Sequence, residues 1–290
     1  MTFRGVLMNL ADIKTVEAIL RPAGFDFKKS LGQNFLINDA VCPEMAAAAC
    51  DDEMGVLEIG PGIGVLTVEL SKVAKRVVAI ELDDRLRKIL PKTLAECDNV
   101  EVIFGDAMKL DLNAIIKEKF ADCKKVCVCA NLPYYITSPI IMMLLESKLP
   151  IDNITVMVQK EAAERLCAEV GSRESGAITV AVNYYAEPEI LFEVDRNSFM
   201  PAPKVDSAVI KLNVRKSPAV KVNDEKRFFS LVKAAFAQRR KTFVNTVSNT
   251  TGLSKDKIKE VLENLDISPT VRSEQLTMQE LTEISNNLNQ

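Results

Sequence analysis

Residues 55–64 read GVLEIGPGIG, a short apolar segment that runs directly into a glycine-rich turn. Residues 65–73, which follow it, are predicted to be helical from the spacing of Val65, Val68, Glu69 and Lys72. A strand, a glycine turn and a helix in this order are typical of the first unit of a nucleotide-binding α/β sheet, where glycine lets the backbone approach a ligand closely. Val65 stands where the dinucleotide fingerprint G-x-G-x-x-G needs its third glycine, so the stretch disfavours hydride transfer.

The next two predicted strands both end in acidic residues. The strand over residues 76–80 leads into Glu81, about 20 residues beyond the glycine turn, where an acidic side chain meets a pair of ribose hydroxyls. The strand over residues 100–104 leads into Gly105 and Asp106. Because the carboxyl ends of parallel strands share one edge of a sheet, we expect Glu81 to bind a ribose and Asp106 an adenine amino group.

A fourth apolar strand, residues 126–130, runs into the tetrapeptide NLPY. An exocyclic amine is a poor nucleophile, and the side-chain carbonyl of Asn131 and the backbone carbonyl of Leu132 can accept its protons. Pro133 lacks an N–H and fixes φ, and Tyr134 offers a flat face for a base swung out of its helix. An isolated NLPY fits the simple end of a strand equally well, but after the three preceding strand ends it predicts a nucleic-acid methyltransferase.

At this point the chain resembles the ribosomal RNA adenine N6,N6-dimethyltransferases of the KsgA type, over nearly its whole length. Five blocks carry the resemblance: 29–36 (KSLGQNFL), 58–64 (EIGPGIG), 131–139 (NLPYYITSP), 199–209 (FMPAPKVDSAV) and 236–241 (FAQRRK). It implies an α/β fold, a Rossmann-like class I S-adenosylmethionine-dependent methyltransferase sheet with a small all-helical C-terminal domain. It also implies a monomer that modifies small-subunit rRNA within a pre-assembled small ribosomal subunit.

The resemblance also assigns residues to the cofactor S-adenosylmethionine. These residues are Gln33, Asn34, Leu36, Gly60, Gly62, Glu81, Asp106 and Asn131. The first three would close over the cofactor, a role that only the resemblance implies, and the two glycines would lie against its methionine part. The catalytic set is Asn131, Leu132, Pro133, Tyr134 and Phe199. Phe199, just before two prolines, would be the second face around the target base, although an aromatic beside prolines is more often simple packing.

Composition and charge limit the other classes of function. The 290 residues are 48% hydrophobic and 27% charged, which is ordinary for a globular protein. Residues 1–10 lack the apolar core of a secretory signal, and no run of about 18 apolar residues occurs, so we expect a cytoplasmic protein without a membrane span. Seven cysteines and no histidine predict reduced thiols, no metal site and no Ser-His or Cys-His nucleophile.

The net charge of −3 hides a basic segment between residues 196 and 241. Twelve basic and three acidic residues give this segment a local charge of +9, which leaves −12 for the rest of the chain. A concentrated basic segment beside an acidic remainder is expected for a protein that contacts RNA phosphates. The run Arg239-Arg240-Lys241 also belongs to a block shared with the family.

The sequence predicts two domains: residues 1–216 form an N-terminal segment and the sheet, and residues 217–290 form a helical RNA-binding domain. The last strands of the first domain, residues 190–194 and 207–214, are expected to pair antiparallel because their connection is too short for a crossover helix. Further elements are expected at 12–20, 154–158, 161–169, 225–237, 241–248, 255–265 and 278–288. Thr137 or Ser138 is predicted to cap a helix that begins at Pro139, and Ser254 to cap another.

These observations favour direct in-line attack of an adenine N6 amine on the sulfonium methyl group, without a covalent enzyme intermediate. The predicted function is dimethylation of small-subunit rRNA, with a role in late ribosome assembly implied by the resemblance. An antibiotic-resistance methyltransferase of large-subunit rRNA is the nearest alternative, but the leucine at 132 and the stretch KVDSAV favour the first. A nucleic-acid-binding factor that keeps the fold without catalysis is a third possibility, against which Glu81 and Asp106 count.

Overall fold

The computed structural model describes residues 9–20 and 35–288. In chain order, the strands of this part are β1 (Phe35–Leu36), β2 (Met54–Ile59), β3 (Arg76–Glu81), β4 (Val100–Phe104), β5 (Lys125–Asn131), β6 (Asn153–Gln159), β7 (Ala186–Val194), β8 (Phe199–Met200) and β9 (Ser207–Val214). Seven of them form one sheet in the order β4-β3-β2-β5-β6-β9-β7. The strands β4, β3, β2, β5 and β6 are parallel, and β9 is antiparallel to β6. This arrangement confirms the predicted α/β sheet.

The central strands are continuous apolar runs because helices cover both faces of the sheet. Every residue of β2 is buried, and so are residues 126–130 of β5. The predicted bounds of β3 to β6 agree with the structure to within one residue at each end. A strand that is buried on both faces carries no alternation of polar and apolar residues, so its length and its flanking glycines or polar residues define it in the sequence.

The helices that follow in the first part of the chain are α1 (Ile13–Leu20), α2 (Val41–Ala49), α3 (Val65–Val73), α4 (Leu90–Thr93), α5 (Leu112–Lys119) and α6 (Thr137–Glu146). The predicted cap of α6 was wrong. The helix begins at Thr137, with Ile136 at the N-cap position and no side-chain cap. The Thr137 hydroxyl instead donates to the Pro133 carbonyl at 3.3 Å. Pro133 lies in the turn after β5, four residues before Thr137, so its carbonyl is within reach of that hydroxyl.

The predicted neighbours β7 and β9 are hydrogen-bonded side by side at one end of the sheet. β9 lies between β6 and β7, and its register with β6 runs from Asn153 opposite Asn213 to Gln159 opposite Ser207. The connection between β7 and β9 contains β8, which the sequence did not predict. β8 pairs antiparallel with β1, with Phe199 opposite Leu36.

The chain divides into two compact units. The first consists of residues 1–163 and 189–214, and it holds most of the sheet. The second consists of residues 164–188 and 215–290. The helical domain was predicted to begin at residue 217, and the second segment of this unit begins at 215. The unit also includes residues 164–188, which were predicted to belong to the sheet domain.

The remaining helices are α7 (Lys160–Leu166), α8 (Ala177–Tyr185), α9 (Glu225–Ala235), α10 (Phe243–Thr251), α11 (Lys255–Asn264) and α12 (Met278–Leu288). Side chains at the N-cap positions determine where several of these helices begin. Thr242 accepts from the Asn245 N–H, so α10 begins two residues later than predicted. Ser254 accepts from the Lys257 N–H at 3.2 Å, which confirms its predicted role. No helix within residues 9–20 and 35–288 has the length and apolar character needed to cross a membrane.

Candidate active site

A cavity of about 160 Å³ lies at the carboxyl edge of the parallel strands, within the first unit. Four strand ends contribute to its wall: the glycine turn after β2, the last residue of β3, the loop after β4 and the tetrapeptide after β5. The predicted site residues that line it are Leu36, Gly60, Gly62, Glu81, Asp106, Asn131, Leu132, Pro133, Tyr134 and Phe199. The other two, Gln33 and Asn34, lie outside the described residues.

The glycine turn exposes backbone to the cavity. Gly60, Gly62 and Gly64 have φ angles of 73°, 59° and 96°, which side chains with a Cβ rarely adopt. A Cβ on Gly60 would meet no atom within 4 Å, whereas one on Gly64 would lie 2.8 Å from the Leu94 side chain. The absence of a side chain at Gly64 therefore allows the start of the following helix to pack against Leu94. The absence of one at Gly60 leaves open space beside the backbone at the cavity.

The carboxylate of Glu81 is buried and held by two backbone N–H groups. One oxygen accepts from Asp83 at 2.7 Å and the other from Gly62 at 3.1 Å. Burial raises the pKa of Glu81, and these two hydrogen bonds act in the opposite direction. A carboxylate has about four acceptor positions, so capacity remains for two ligand hydroxyls. The same contacts tie the end of β3 to the glycine turn.

Asp106 occupies the equivalent position after β4. Its Oδ1 accepts from the Met108 N–H at 3.0 Å, which fixes the carboxyl group at the cavity wall. Its Oδ2 lies 3.4 Å from the Nζ of Lys109, whose side chain is 82% exposed. An exposed pair of this kind contributes little stability, so this oxygen can exchange the lysine for a ligand amine at low cost.

The turn after β5 leaves two acceptors unused. Asn131 is the last residue of the strand and is half-buried. The Pro133 carbonyl accepts from the Ile136 N–H at 3.1 Å. In the described part of the chain, neither the Asn131 side-chain carbonyl nor the Leu132 backbone carbonyl has a hydrogen-bond partner. The two groups predicted to accept hydrogen bonds from an amine are thus available at the cavity.

The aromatic residues of the cavity differ in how they are held. The Tyr134 hydroxyl is hydrogen-bonded to Ser207 Oγ at 2.8 Å, and burial raises the pKa of this phenol. Tyr135, the next residue, is 58% exposed. Phe199 lines the cavity but is only 3% exposed, because it packs in the hydrophobic core beside Leu36 and Val209.

Sequence reasoning missed Glu58, which lies within β2 and lines the cavity. Its side chain is 1% exposed, and burial raises the pKa to about 8. The neighbouring Thr67 hydroxyl acts in the opposite direction, and the charge of nearby Glu81 raises the pKa further. Its Oε2 and the Thr67 hydroxyl have no hydrogen-bond partner among the residues described. The signal was present as one acidic residue in an otherwise apolar segment, since acids are almost never fully buried without a reason.

The chain is also similar to known proteins. Residues 24–290 match the family model described as ribosomal RNA adenine dimethylase. The chain is 49% identical to ribosomal RNA small subunit methyltransferase A of Bacillus pumilus, over 94% of this chain and 95% of that protein. It is also 49% identical to the protein of the same name from Geobacillus thermodenitrificans, over 97% of each.

Two solved structures show the same fold. A dimethyladenosine transferase from Plasmodium falciparum superimposes with a TM-score of 0.71 and 29% identity, over 86% of this chain and 95% of that one. The 23S rRNA methyltransferase ErmE superimposes with a TM-score of 0.66 and 26% identity, over 89% of this chain and 100% of that one. The strand-edge cavity therefore belongs to a fold shared by enzymes that methylate RNA.

Proposed function

Because the chain belongs to the ribosomal RNA adenine dimethylase family, we propose that it dimethylates the N6 amines of two adjacent adenosines in a 3′-terminal hairpin of small-subunit (16S) rRNA. The methyl donor is S-adenosylmethionine. The observation that carries the proposal is the pair of unused carbonyl acceptors, on Asn131 and Leu132, at a cavity whose other strand ends suit a nucleoside.

The cavity residues fit S-adenosylmethionine. Open space beside Gly60 admits the methionine part close to the backbone. The remaining acceptor capacity of Glu81 suits the two ribose hydroxyls, and Asp106 suits the adenine amino group. The buried carboxyl group of Glu58, whose Oε2 has no hydrogen-bond partner among the described residues, adds a polar group to the cavity wall. Leu36 forms part of the wall, and Gln33 and Asn34, just before it in the chain, are proposed to complete the enclosure.

The bound cofactor supplies an electrophilic methyl group. The Asn131 side-chain carbonyl and the Leu132 backbone carbonyl would accept hydrogen bonds from the N–H groups of the adenine N6 amine and so hold its nitrogen for in-line attack. As the nitrogen–methyl bond forms, the sulfur–methyl bond would break and S-adenosylhomocysteine would leave. Pro133 stiffens the turn that presents both acceptors, and the Tyr134 ring stacks on the target base. The methylated nitrogen is briefly cationic and loses its proton readily, so the site needs no strong base.

Phe199 is proposed as the second face around the target base. With 3% of its surface exposed, it can offer little of its ring at the cavity wall unless the base displaces a neighbouring side chain. The larger part of its role is packing between β8 and the hydrophobic core.

Contact with the RNA is proposed to depend on basic residues that the helical unit presents. Arg239, Arg240 and Lys241 lie in the connection between α9 and α10, and all three side chains are exposed. Exposed cations of this kind position a nucleic acid through its phosphates without choosing the base. We propose that the protein acts as a cytoplasmic monomer on a pre-assembled small ribosomal subunit and thereby takes part in small-subunit biogenesis.

Transfer of labelled methyl groups to isolated ribosomal subunits tests the substrate. Under-methylated small subunits should accept label from S-adenosylmethionine, and large subunits from the same cells should not. Label in the large subunit alone would favour the alternative represented by the structural neighbour ErmE. No label in either, together with no cofactor binding by calorimetry, would favour a nucleic-acid-binding factor without catalysis.

Gly60→Ala is expected to weaken S-adenosylmethionine binding by about tenfold or more, because the added methyl group occupies the space where the cofactor approaches the backbone. Gly252→Ala is a matched control. Gly252 has a similar φ of 76°, and a Cβ there would also meet nothing within 4 Å, but it ends α10 in the helical unit. Both variants should lose about 1 kcal/mol of stability, and only Gly60→Ala should change the calorimetric Kd. Equal Kd values would contradict the proposed placement of the cofactor.

A further inference from the structure

The hydrogen bond between Tyr134 and Ser207 joins two residues that are 73 positions apart in the chain. Ser207 is the first residue of β9 and is fully buried, and Tyr134 is half-buried at the cavity wall. We propose that Ser207 is a positioning residue, which fixes the Tyr134 ring as the platform for the target adenine. The inference rests on the proposed function, because it takes Tyr134 as the residue that stacks on the base.

The bond closes a loop through three adjacent strands. Asn131, at the end of β5, pairs in register with Met157 of β6. Two residues further along β6, Gln159 pairs with Ser207 of β9. The Ser207 hydroxyl then reaches back to Tyr134, which follows Asn131 by three residues. The sheet therefore fixes both the acceptor for the amine and the aromatic face for the base.

The same contact limits what Tyr134 can do. Its hydroxyl is engaged with Ser207, and burial raises the pKa of the phenol, so the group stays neutral. Tyr134 therefore acts through its ring and does not take the proton of the methylated amine. Tyr135 provides a contrast: it is 58% exposed at the same cavity and makes no hydrogen bond within the described residues. The ring that is held in one orientation is the one suited to stacking.

A double-mutant cycle tests the role of Ser207. Ser207→Ala and Tyr134→Phe each remove the same hydrogen bond, and each should lower kcat on small subunits by about three- to tenfold. The Kd of S-adenosylmethionine and the KM for the subunit should stay unchanged. The double variant should be no slower than either single variant. If Ser207→Ala lowered kcat equally in the Tyr134→Phe background, its effect would arise from β9 packing and the proposal would be overturned.

A measurement without substrate separates this inference from the proposed function. The chain has four tyrosines and no tryptophan, so 3-fluorotyrosine labelling gives few fluorine resonances, and the Tyr134→Phe variant assigns the one from Tyr134. Ser207→Ala should shift that resonance and leave the other three unchanged. An unchanged resonance, or a shift without loss of kcat, would overturn the positioning role. If the wild type methylates large-subunit RNA instead, the substrate proposal fails, and kcat of the same variants on that RNA decides the role of Ser207.

Discussion

Asn131→Ala is expected to lower the rate of methyl transfer by about 100-fold or more, because it removes an amide oxygen that holds the target amine in the reactive orientation. The side chain has no hydrogen-bond partner within the described residues that the substitution would leave unpaired, so the fold should be little affected. S-adenosylmethionine binding should largely survive, since Glu81, Asp106 and the glycine turn remain. Single-turnover rates at saturating cofactor, with the Kd from calorimetry, give the two quantities separately.

Asn213→Ala is the matched control for this prediction. It makes the same truncation at an exposed asparagine near the end of β9, where the side-chain amide donates to Glu189 Oε1 at 3.2 Å. Its rate should stay close to that of the wild type. A wild-type rate in Asn131→Ala would refute the role of this residue as the hydrogen-bond acceptor for the target amine. A loss of cofactor binding equal to the loss of rate would assign it to the cofactor alone.

Glu58→Gln is expected to change how stability depends on pH. Glu58 is buried with its Oε2 unpartnered, and burial raises its pKa to about 8 from the ordinary value of 4.5. Between these two pH values the native state keeps a proton that the unfolded state has released. The free energy of unfolding of the wild type should therefore fall as the pH rises from about 4.5 to about 8, and this contribution should be constant above that.

The size of the effect is bounded by the shift in pKa. The shift from 4.5 to about 8 spans about 3.5 pH units. Each unit corresponds to about 1.4 kcal/mol, so ionisation of Glu58 can cost the native state roughly 5 kcal/mol at most. The glutamine variant has nearly the same shape and no proton to lose. It should be more stable than the wild type above pH 8 and about equally stable near pH 4.5.

Chemical denaturation of the free protein at a series of pH values measures this difference. Glu44→Gln, which neutralises an exposed carboxylate on α2, controls for the change in net charge. Parallel curves for the wild type and Glu58→Gln across pH 4.5 to 8 would show that Glu58 is ionised in the native state. That result would contradict the raised pKa of Glu58.

Much of the site could be predicted because it depends on local sequence and one rule of topology. Glycines, Glu81, Asp106 and Asn131 each follow an apolar strand, and parallel strands bring such positions to one edge. The bounds of β3, β5 and β6 were accurate because buried strands are short apolar runs with clear ends. The start of β7 was wrong by four residues, at 190 instead of 186, because this strand alternates exposed and half-buried residues. Residues 131–134 predicted methyl transfer to an amine, because their carbonyl acceptors are part of the tetrapeptide itself.

Other features depend on contacts between distant residues, which no local pattern encodes. The partner of the Tyr134 hydroxyl is set by the register of β9 on β6. Residues 164–188 belong to the helical unit although they precede β9, because packing of α8 against α9 decides it. The burial of Phe199 follows from the pairing of β8 with β1, two strands too short to show a periodicity.

The most direct test of the account is the identity of the modified nucleoside. The wild-type protein would be incubated with S-adenosylmethionine and under-methylated small ribosomal subunits, and the digested RNA would be analysed by mass spectrometry. We expect N6,N6-dimethyladenosine in two adjacent positions of a 3′-terminal hairpin, and almost none with Asn131→Ala. Absence of dimethyladenosine from the small-subunit RNA, with active cofactor binding by the same preparation, would contradict it.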